Sequence, residues 1–185
     1  YLGDPEFVDV PLEMLTSQER AAYWREQIER GEEIPVHLDP VPSPATTHVS
    51  AVDNEGNVVG ITHSLGGSSG VITPGMGFMY NNSMVNYHPL PAHPNSIAPG
   101  KARTTGQAPT IVYRDGKPIL NIGAPGGTKI ITGLAQVIVN IVDFGMTPQE
   151  AILAPRFDCQ ANRITTQMRI PMSVIEEVRR RHPIE

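Results

Sequence analysis

The chain has 185 residues, a net charge of −5, 39% hydrophobic residues, one cysteine, 17 glycines and 18 prolines. This length is that of one ordinary domain. The acidic balance, with its main basic cluster at residues 179–181, argues against nucleic-acid binding. The sequence has no run of 18 apolar residues, so no membrane span is predicted. It does not open like a signal peptide, and the compartment stays unassigned.

Residues 1–45 differ in kind from the rest of the chain. After an extended lead-in, Thr16 and Glu19 form a candidate capping box, and Gly31 supplies a helix stop. Several apolar residues of this predicted helix share one side, so we expect it to dock on another element: Ala21, Ala22, Trp24 and Ile28. Four prolines within residues 35–44 then predict an exposed, extended linker.

From Thr46 the pattern is that of a sheet. The pattern predicts one hairpin over residues 47–53 and 58–64, and a second over residues 108–113 and 118–122. The proline-rich segment 88–100 between the hairpins predicts a long, stiff loop. Loops of this length in compact domains are often functional.

The remaining elements are helical. Residues 130–144 are nearly all apolar and predict a buried helix, and Thr147 opens a short capped helix that ends before Pro155. Ser173 with Glu176 predicts the start of a last helix. Strands, a glycine-rich turn and then helices indicate an α+β fold with helices packed on antiparallel sheet.

The glycine-rich turn at residues 123–127 is the first candidate for chemistry. It fails as a nucleotide-binding P-loop, because Thr128 separates the last glycine from Lys129. A turn that leads into a helix can nevertheless hold a phosphate, a carboxylate or a developing oxyanion on its backbone N–H groups. A tight turn with a purely structural role is the alternative.

Metal and thiol chemistry are not favoured. Cys159 is alone, which excludes an internal disulfide and a multi-cysteine zinc site, and we interpret it as a small buried hydrophobe. No metal or other cofactor is expected, because metal-ligand spacing is absent among the six histidines: His37, His48, His63, His88, His93 and His182.

Thr46 is the most informative position. A threonine hydroxyl is a weak nucleophile unless a base lies beside it, and an N-terminal threonine can use its own α-amine as that base. Thr46 follows the proline-rich linker and begins a strand, where self-cleavage would release it. An ordinary strand start is the alternative.

Five motifs in register extend this interpretation over essentially the whole chain. They lie at residues 46–57, 77–84, 109–112, 123–127 and 154–157. Together they resemble the γ-glutamyltransferase (glutathione hydrolase) family, whose small subunit starts like residues 46–57. Residues 1–5 also resemble the end of that family's large subunit.

The resemblance implies an N-terminal nucleophile (Ntn) hydrolase with a four-layer αββα sandwich, only part of which these residues would form. It also implies a precursor that cuts itself between Ala45 and Thr46. Residues 1–45 would then be the C-terminal end of the large subunit with its linker. Residues 46–185 would be the small catalytic subunit, C-terminally incomplete because these 140 residues are fewer than usual. The partner would be the rest of the large subunit, with the arginine that such enzymes use against the substrate carboxylate.

The family's catalytic roles are carried over by position. Thr46 would attack a γ-glutamyl amide, and water, an amino acid or a peptide would accept the acyl group. Ser64 matches a second hydroxyl residue, usually threonine, that hydrogen-bonds near the nucleophile. Gly126 and Gly127 match the oxyanion-hole pair.

Substrate-binding positions match less well. Thr105 matches one serine of a carboxylate-binding pair, the second serine falls on Gly106, and Thr104 would take that role if the register slips by one. After Asn82, Ser83 and Asn86 stand where transpeptidases hold the substrate α-ammonium with Gln or Glu and with Asp.

A further departure is Gly66, which replaces an asparagine. Loss of the carboxylate at position 86 removes a charge-assisted bond worth about 1.5–3 kcal/mol. Amide acyl transfer or hydrolysis is therefore indicated more firmly than glutathione as the substrate. Three alternatives remain: an acylase or amidohydrolase acting on another small amide, a catalytically silent binding relative, and an anion or nucleotide binder using the glycine turn.

Overall fold

A computed structural model describes residues 2–33, 45–160 and 163–182 of the protein. These residues form two helices, then three antiparallel strand pairs, two further helices, a fourth strand pair and a last helix, which confirms the α+β prediction. The predicted proline-rich linker at residues 35–44 lies outside the described residues. None of the helices in the described part of the chain has the length and apolarity needed to cross a membrane.

Two helices precede the linker: α1 (Leu12–Leu15) and α2 (Gln18–Glu29). The cap of α2 is Ser17, whose hydroxyl accepts the backbone N–H of Arg20, so the capping box predicted at Thr16 and Glu19 is wrong. Thr16 instead ends α1, because its hydroxyl donates to a carbonyl of that helix.

Helix α2 ends where predicted, but the predicted docking of one of its sides is not observed. Gly31 follows the helix with φ +70, a conformation that glycine adopts without strain. No residue of α2 is buried by the described residues, and Ile28 is exposed. The predicted docking surface therefore has no partner in this part of the chain.

The first hairpin consists of β1 (Thr46–Val52) and β2 (Val58–Ser64), close to the predicted bounds. The turn is held by the Asp53 carboxylate, which accepts the backbone N–H groups of Glu55 and Asn57 at 2.9 and 2.8 Å. This turn fixes a register in which the two ends of the hairpin, Thr46 and Ser64, lie opposite each other.

Two further strand pairs follow. Strands β3 (Ser68–Ile72) and β4 (Met79–Asn81) form a short irregular pair that the sequence did not predict. The predicted second hairpin is confirmed as β5 (Thr110–Arg114) and β6 (Lys117–Ile122).

The two hairpins pack against each other. The Asn121 side-chain amide of β6 donates to the Val59 carbonyl of β2 at 2.8 Å. At the end of β6, the His48 ring approaches Gly123 so closely that a Cβ on that glycine would lie 2.2 Å from Nδ1. The glycine-rich turn after β6 is therefore fixed next to β1, which carries Thr46.

The remaining elements are α3 (Ile130–Val142), α4 (Pro148–Leu153), β7 (Phe157–Gln160), β8 (Arg163–Thr166) and α5 (Met172–Arg179). The core of the described residues is small and lies on these helices: Ile130, Leu134, Val137, Ala151 and Ile175. The helix α3 buries one face only, and Ile131, Val139 and Phe144 are exposed. The expectation of a fully buried helix is therefore wrong for the described residues.

Of the two helix starts predicted from capping residues after α3, one is confirmed and the other is wrong. The capping box of Thr147 and Glu150 is present at α4, as predicted. The predicted start of α5 at Ser173 is wrong, because the helix begins after Pro171 without a side-chain cap. Cys159 is exposed rather than buried, since strand alternation places the neighbouring Asp158 inside.

Candidate active site

The hydroxyls of Thr46 and Ser64 meet where β1 begins and β2 ends. Thr46 Oγ1 donates to Ser64 Oγ at 2.9 Å, and both residues are half-buried. Ser64 Oγ also accepts the backbone N–H of Gly66 at 2.9 Å. Ser64 thus holds the Thr46 hydroxyl and the loop after β2 with one oxygen.

The peptide bond before Thr46 is held at the same place. The Ala45 carbonyl accepts the backbone N–H of Leu65 at 3.3 Å. An N–H group on a carbonyl oxygen polarises that carbonyl and stabilises negative charge that develops there. The predicted cleavage site therefore lies beside both a hydroxyl and a backbone donor.

The loop after β2 packs against the segment that contains Asn82 and Ser83. The Asn82 N–H donates to the Leu65 carbonyl at 2.8 Å. Gly66 has φ +72, and a Cβ there would lie 3.2 Å from Ser83 Oγ. Both the backbone angle and the close approach favour glycine, which explains the departure noted at this position.

Ser83 and Asn86 begin and end a 3₁₀ turn. The Asn86 side-chain amide donates to the Ser83 carbonyl at 3.2 Å, so this predicted binding group is engaged within its own turn. The Ser83 hydroxyl is contacted by Arg103, whose Nη2 lies 3.4 Å away, a long hydrogen bond.

Asn95 links this turn to the predicted threonines, and sequence reasoning missed it. Its side chain donates to the Asn86 carbonyl at 2.7 Å and accepts the Thr104 N–H at 2.9 Å. Asn95 is only 7% exposed. The available signal was its place in the long proline-rich loop. Thr105 is exposed, and its hydroxyl accepts the Gln107 N–H at 3.1 Å.

The predicted oxyanion-hole glycines form the turn that leads into α3. Gly126 and Gly127 have φ +142 and +59, values that other residues rarely adopt. A Cβ on Gly106 would lie 3.1 Å from the Gly127 carbonyl, so the segment beside Thr105 touches this turn. This contact explains a glycine at the position where the resemblance expects a second serine.

A segment from before the predicted cleavage site is bound to the same loop region. The Asp4 carboxylate accepts the Ala102 N–H at 2.6 Å, one residue before Arg103. The backbone N–H groups of Ala102 and Glu6 hold the pKa of the Asp4 carboxyl below its ordinary value. The N-terminal segment therefore supports the chain that carries Arg103 and Thr104.

Metal ligands are not grouped in this region. Among residues 2–33, 45–160 and 163–182, no three histidine, cysteine or acidic side chains lie together as a metal site would need. His88 and His93 stack with ring centroids 3.8 Å apart. His37 lies outside the described residues.

Contacts join most of the predicted site residues into one cluster, although they lie far apart in sequence. The candidate site thus combines a hydroxyl pair at a strand end, a preceding carbonyl on a backbone donor and a glycine turn. The family model for gamma-glutamyltranspeptidase matches residues 1–184. The chain belongs to the gamma-glutamyltranspeptidase family.

Individual relatives agree with this assignment. The chain is 38% identical over 178 residues to a glutathione hydrolase proenzyme of Escherichia coli (strain K12), covering 86% of this chain and 31% of the relative. It is 37% identical over 178 residues to the Acylase ACY 1 proenzyme of Pseudomonas sp. (strain V22), covering 94% of this chain and 32% of the relative.

The fold is also similar to a crystal structure of a gamma-glutamyltranspeptidase mutant from Helicobacter pylori. That match has a TM-score of 0.70 and 32% identity, and covers 75% of this chain and 83% of the other. The chain thus has the fold of the Ntn-hydrolase type that the resemblance implied. It spans about a third of the length of the Escherichia coli and Pseudomonas relatives named above.

Proposed function

We propose that the protein is a self-processing threonine amidase or acyltransferase that cleaves small amides of the γ-glutamyl type. The observation that carries this proposal is the Thr46 hydroxyl, 2.9 Å from Ser64 Oγ and next to a carbonyl that accepts the Leu65 N–H. Family membership supports the reaction class, and two relatives are named as proenzymes.

In the first reaction, Thr46 Oγ1 adds to the Ala45 carbonyl carbon while Leu65 N–H stabilises the oxyanion. The C–N bond to Thr46 breaks, the freed amine takes the proton, and water hydrolyses the resulting ester. Thr46 then begins a new chain with its own α-amine as the base. Residues 1–45 would remain as the end of a large subunit and residues 46–185 would belong to the small subunit.

In the second reaction, Thr46 Oγ1 attacks the substrate amide carbonyl. Gly126 and Gly127 supply N–H donors to the oxyanion, the amine leaves with a proton, and an acyl-Thr46 ester forms. Water, an amino acid or a peptide then takes the acyl group. Around the acyl chain we place the substrate-binding residues Asn82, Ser83, Asn86, Thr104 and Thr105. The rest of the large subunit is the expected protein partner.

The test uses the full-length protein expressed from its complete reading frame. Hydrolysis of γ-glutamyl p-nitroanilide, glutathione and a panel of other small amides is compared for wild type, Thr46→Ala and Thr47→Ala. Thr47 is the matched control, since its side chain is exposed on the other face of β1. We expect turnover by wild type and Thr47→Ala, and none by Thr46→Ala. Activity retained in Thr46→Ala, or no turnover of any amide by wild type, would contradict the proposal.

A further inference from the structure

The Arg103 guanidinium lies within the network that holds the proposed nucleophile. Its Nη2 contacts Ser83 Oγ at 3.4 Å, and its Nη1 donates to the Thr104 carbonyl at 3.0 Å. Ser83 Oγ in turn lies against Gly66, whose N–H donates to Ser64 Oγ. Arg103 thus reaches the Thr46–Ser64 pair through two intervening residues.

The position of Arg103 is fixed from behind. The Thr104 N–H is held by the buried side chain of Asn95, and Ala102 is held by the Asp4 carboxylate. Arg103 itself is half-buried. A cation held on both sides by backbone anchors keeps its direction and loses less conformational entropy when it binds an anion.

The charge of Arg103 is not balanced within this network. The residues that these contacts join to its side chain are uncharged: Thr46, Ser64, Gly66, Ser83, Asn86, Asn95 and Thr104. The Asp4 carboxylate is bound to the backbone N–H of the preceding residue, Ala102. Among the described residues, no carboxylate lies within 4.0 Å of the Arg103 guanidinium. A partly desolvated arginine whose guanidinium is not paired with a carboxylate attracts one and disfavours a second cation.

We infer that Arg103 selects substrates whose acyl group carries a carboxylate and no α-ammonium, that is, monoamides of linear dicarboxylic acids. The inference rests on the proposed function and names its substrate class. The chemistry at Thr46 is unchanged: the amide C–N bond breaks, the amine leaves with a proton, and water releases the dicarboxylate.

Three p-nitroanilides with five-carbon acyl groups test the carboxylate and the α-ammonium of the acyl group separately. Glutaryl p-nitroanilide has the terminal carboxylate alone, γ-L-glutamyl p-nitroanilide adds the α-ammonium, and pentanoyl p-nitroanilide has neither. The full-length protein is assayed with each substrate as wild type, Arg103→Met and Arg103→Lys. Arg114→Met is the matched control, because Arg114 is exposed at the end of β5.

We expect wild type to give a kcat/KM for the glutaryl substrate about 10- to 100-fold above that for each other substrate. Arg103→Met should remove this preference by lowering the glutaryl value selectively, Arg103→Lys should restore part of it, and Arg114→Met should leave it unchanged. A purely structural role of Arg103 would lower all three values together. Melting temperature and the extent of cleavage at Ala45–Thr46 verify that each variant folds.

The possible failures are distinguishable. If wild type hydrolyses no anilide or other small amide, the proposed function fails. If wild type prefers the γ-glutamyl substrate, or if Arg103→Met changes the three values in parallel, the inference about Arg103 is wrong while the proposed function stands. If Arg103→Met does not fold, the inhibition constants of glutarate and glutamate are compared on wild type. Stronger inhibition by glutarate supports the inference, and equal inhibition overturns it.

Discussion

Substitution of Ser64 tests how the site prepares the Thr46 hydroxyl. Ser64 Oγ accepts two hydrogen bonds of 2.9 Å, one from Thr46 Oγ1 and one from the Gly66 N–H. Ser64→Ala removes this shared acceptor. Each hydrogen bond contributes about 0.5–1.5 kcal/mol net, so the two together are worth about 1–3 kcal/mol.

If this free energy serves to position the nucleophile, it appears in the rate. A loss of about 1–3 kcal/mol lowers kcat/KM by roughly 5- to 150-fold. Ser64→Thr keeps the hydroxyl, and we expect its kcat/KM to stay within about threefold of wild type. Rates are measured on the amide that wild type hydrolyses fastest and are divided by the fraction of protein cleaved at Thr46.

Two controls separate positioning from folding. Ser50→Ala removes a hydroxyl from the same hairpin. Among the described hydrogen bonds, the Ser50 hydroxyl contacts only Nε2 of the His48 ring, so this variant should have a kcat/KM near that of wild type. Melting curves show whether Ser64→Ala is folded at the assay temperature. Ser64 does not position the nucleophile if folded, cleaved Ser64→Ala has wild-type kcat/KM, or if kcat/KM falls as far in Ser64→Thr as in Ser64→Ala.

Three stability measurements test the packing around the site. Gly123→Ala would place a Cβ 2.2 Å from His48 Nδ1 and should lower the free energy of unfolding by about 1–3 kcal/mol in urea titrations; an unchanged midpoint would contradict the close approach. Gly133→Ala in α3 meets nothing within 4 Å and should raise that free energy by about 0.5–1 kcal/mol, whereas destabilisation would show that the space is filled. The pKa of Asp4 is lowered in the folded protein, so its contribution is present above about pH 4 and is lost as the pH falls through the folded pKa. The Tm of wild type should therefore fall more steeply below about pH 4 than that of Asp4→Asn, which cannot accept the Ala102 N–H as a carboxylate, and parallel curves would contradict this role.

Local signals predicted the hairpins well, for physical reasons. The turn that follows Asp53 and the turn at Asp115 and Gly116 each close on neighbouring residues, so their geometry depends little on the rest of the chain. Once the first turn is fixed, strand pairing alone brings Thr46 opposite Ser64. The capping box at Thr147 was predictable for the same reason, since all its partners lie within one helical turn.

Predictions from the sequence failed where either of two neighbouring residues could cap a helix, and where packing against other elements decides which residues are buried. Thr16 and Ser17 both carry cap hydroxyls, and the end of α1 determines which of them caps α2. The exposed face of α3 has the same apolar composition as its buried face, so hydrophobicity could not separate them. Burial of a helix face is set by its neighbours rather than by its own sequence.

The candidate site was predictable in its residues but not in its connections. The proposed nucleophile and the glycine turn were predicted from motifs. The roles of Asn95 and Arg103 depend on the path of a long loop between β4 and β5, which places Asn95 against both Asn86 and Thr104. No periodic pattern encodes such contacts, because each partner is an isolated polar residue in irregular structure.

In the proposed function, Thr46 becomes the N-terminal nucleophile by cutting its own chain. Intact-mass analysis and N-terminal sequencing of the purified full-length protein test this directly, with Thr46→Ala treated in the same way. We expect two chains in wild type, one beginning at Thr46, and a single uncut chain in Thr46→Ala. A wild-type protein that stays in one piece while it hydrolyses amides, or a Thr46→Ala variant cut after Ala45, would contradict it.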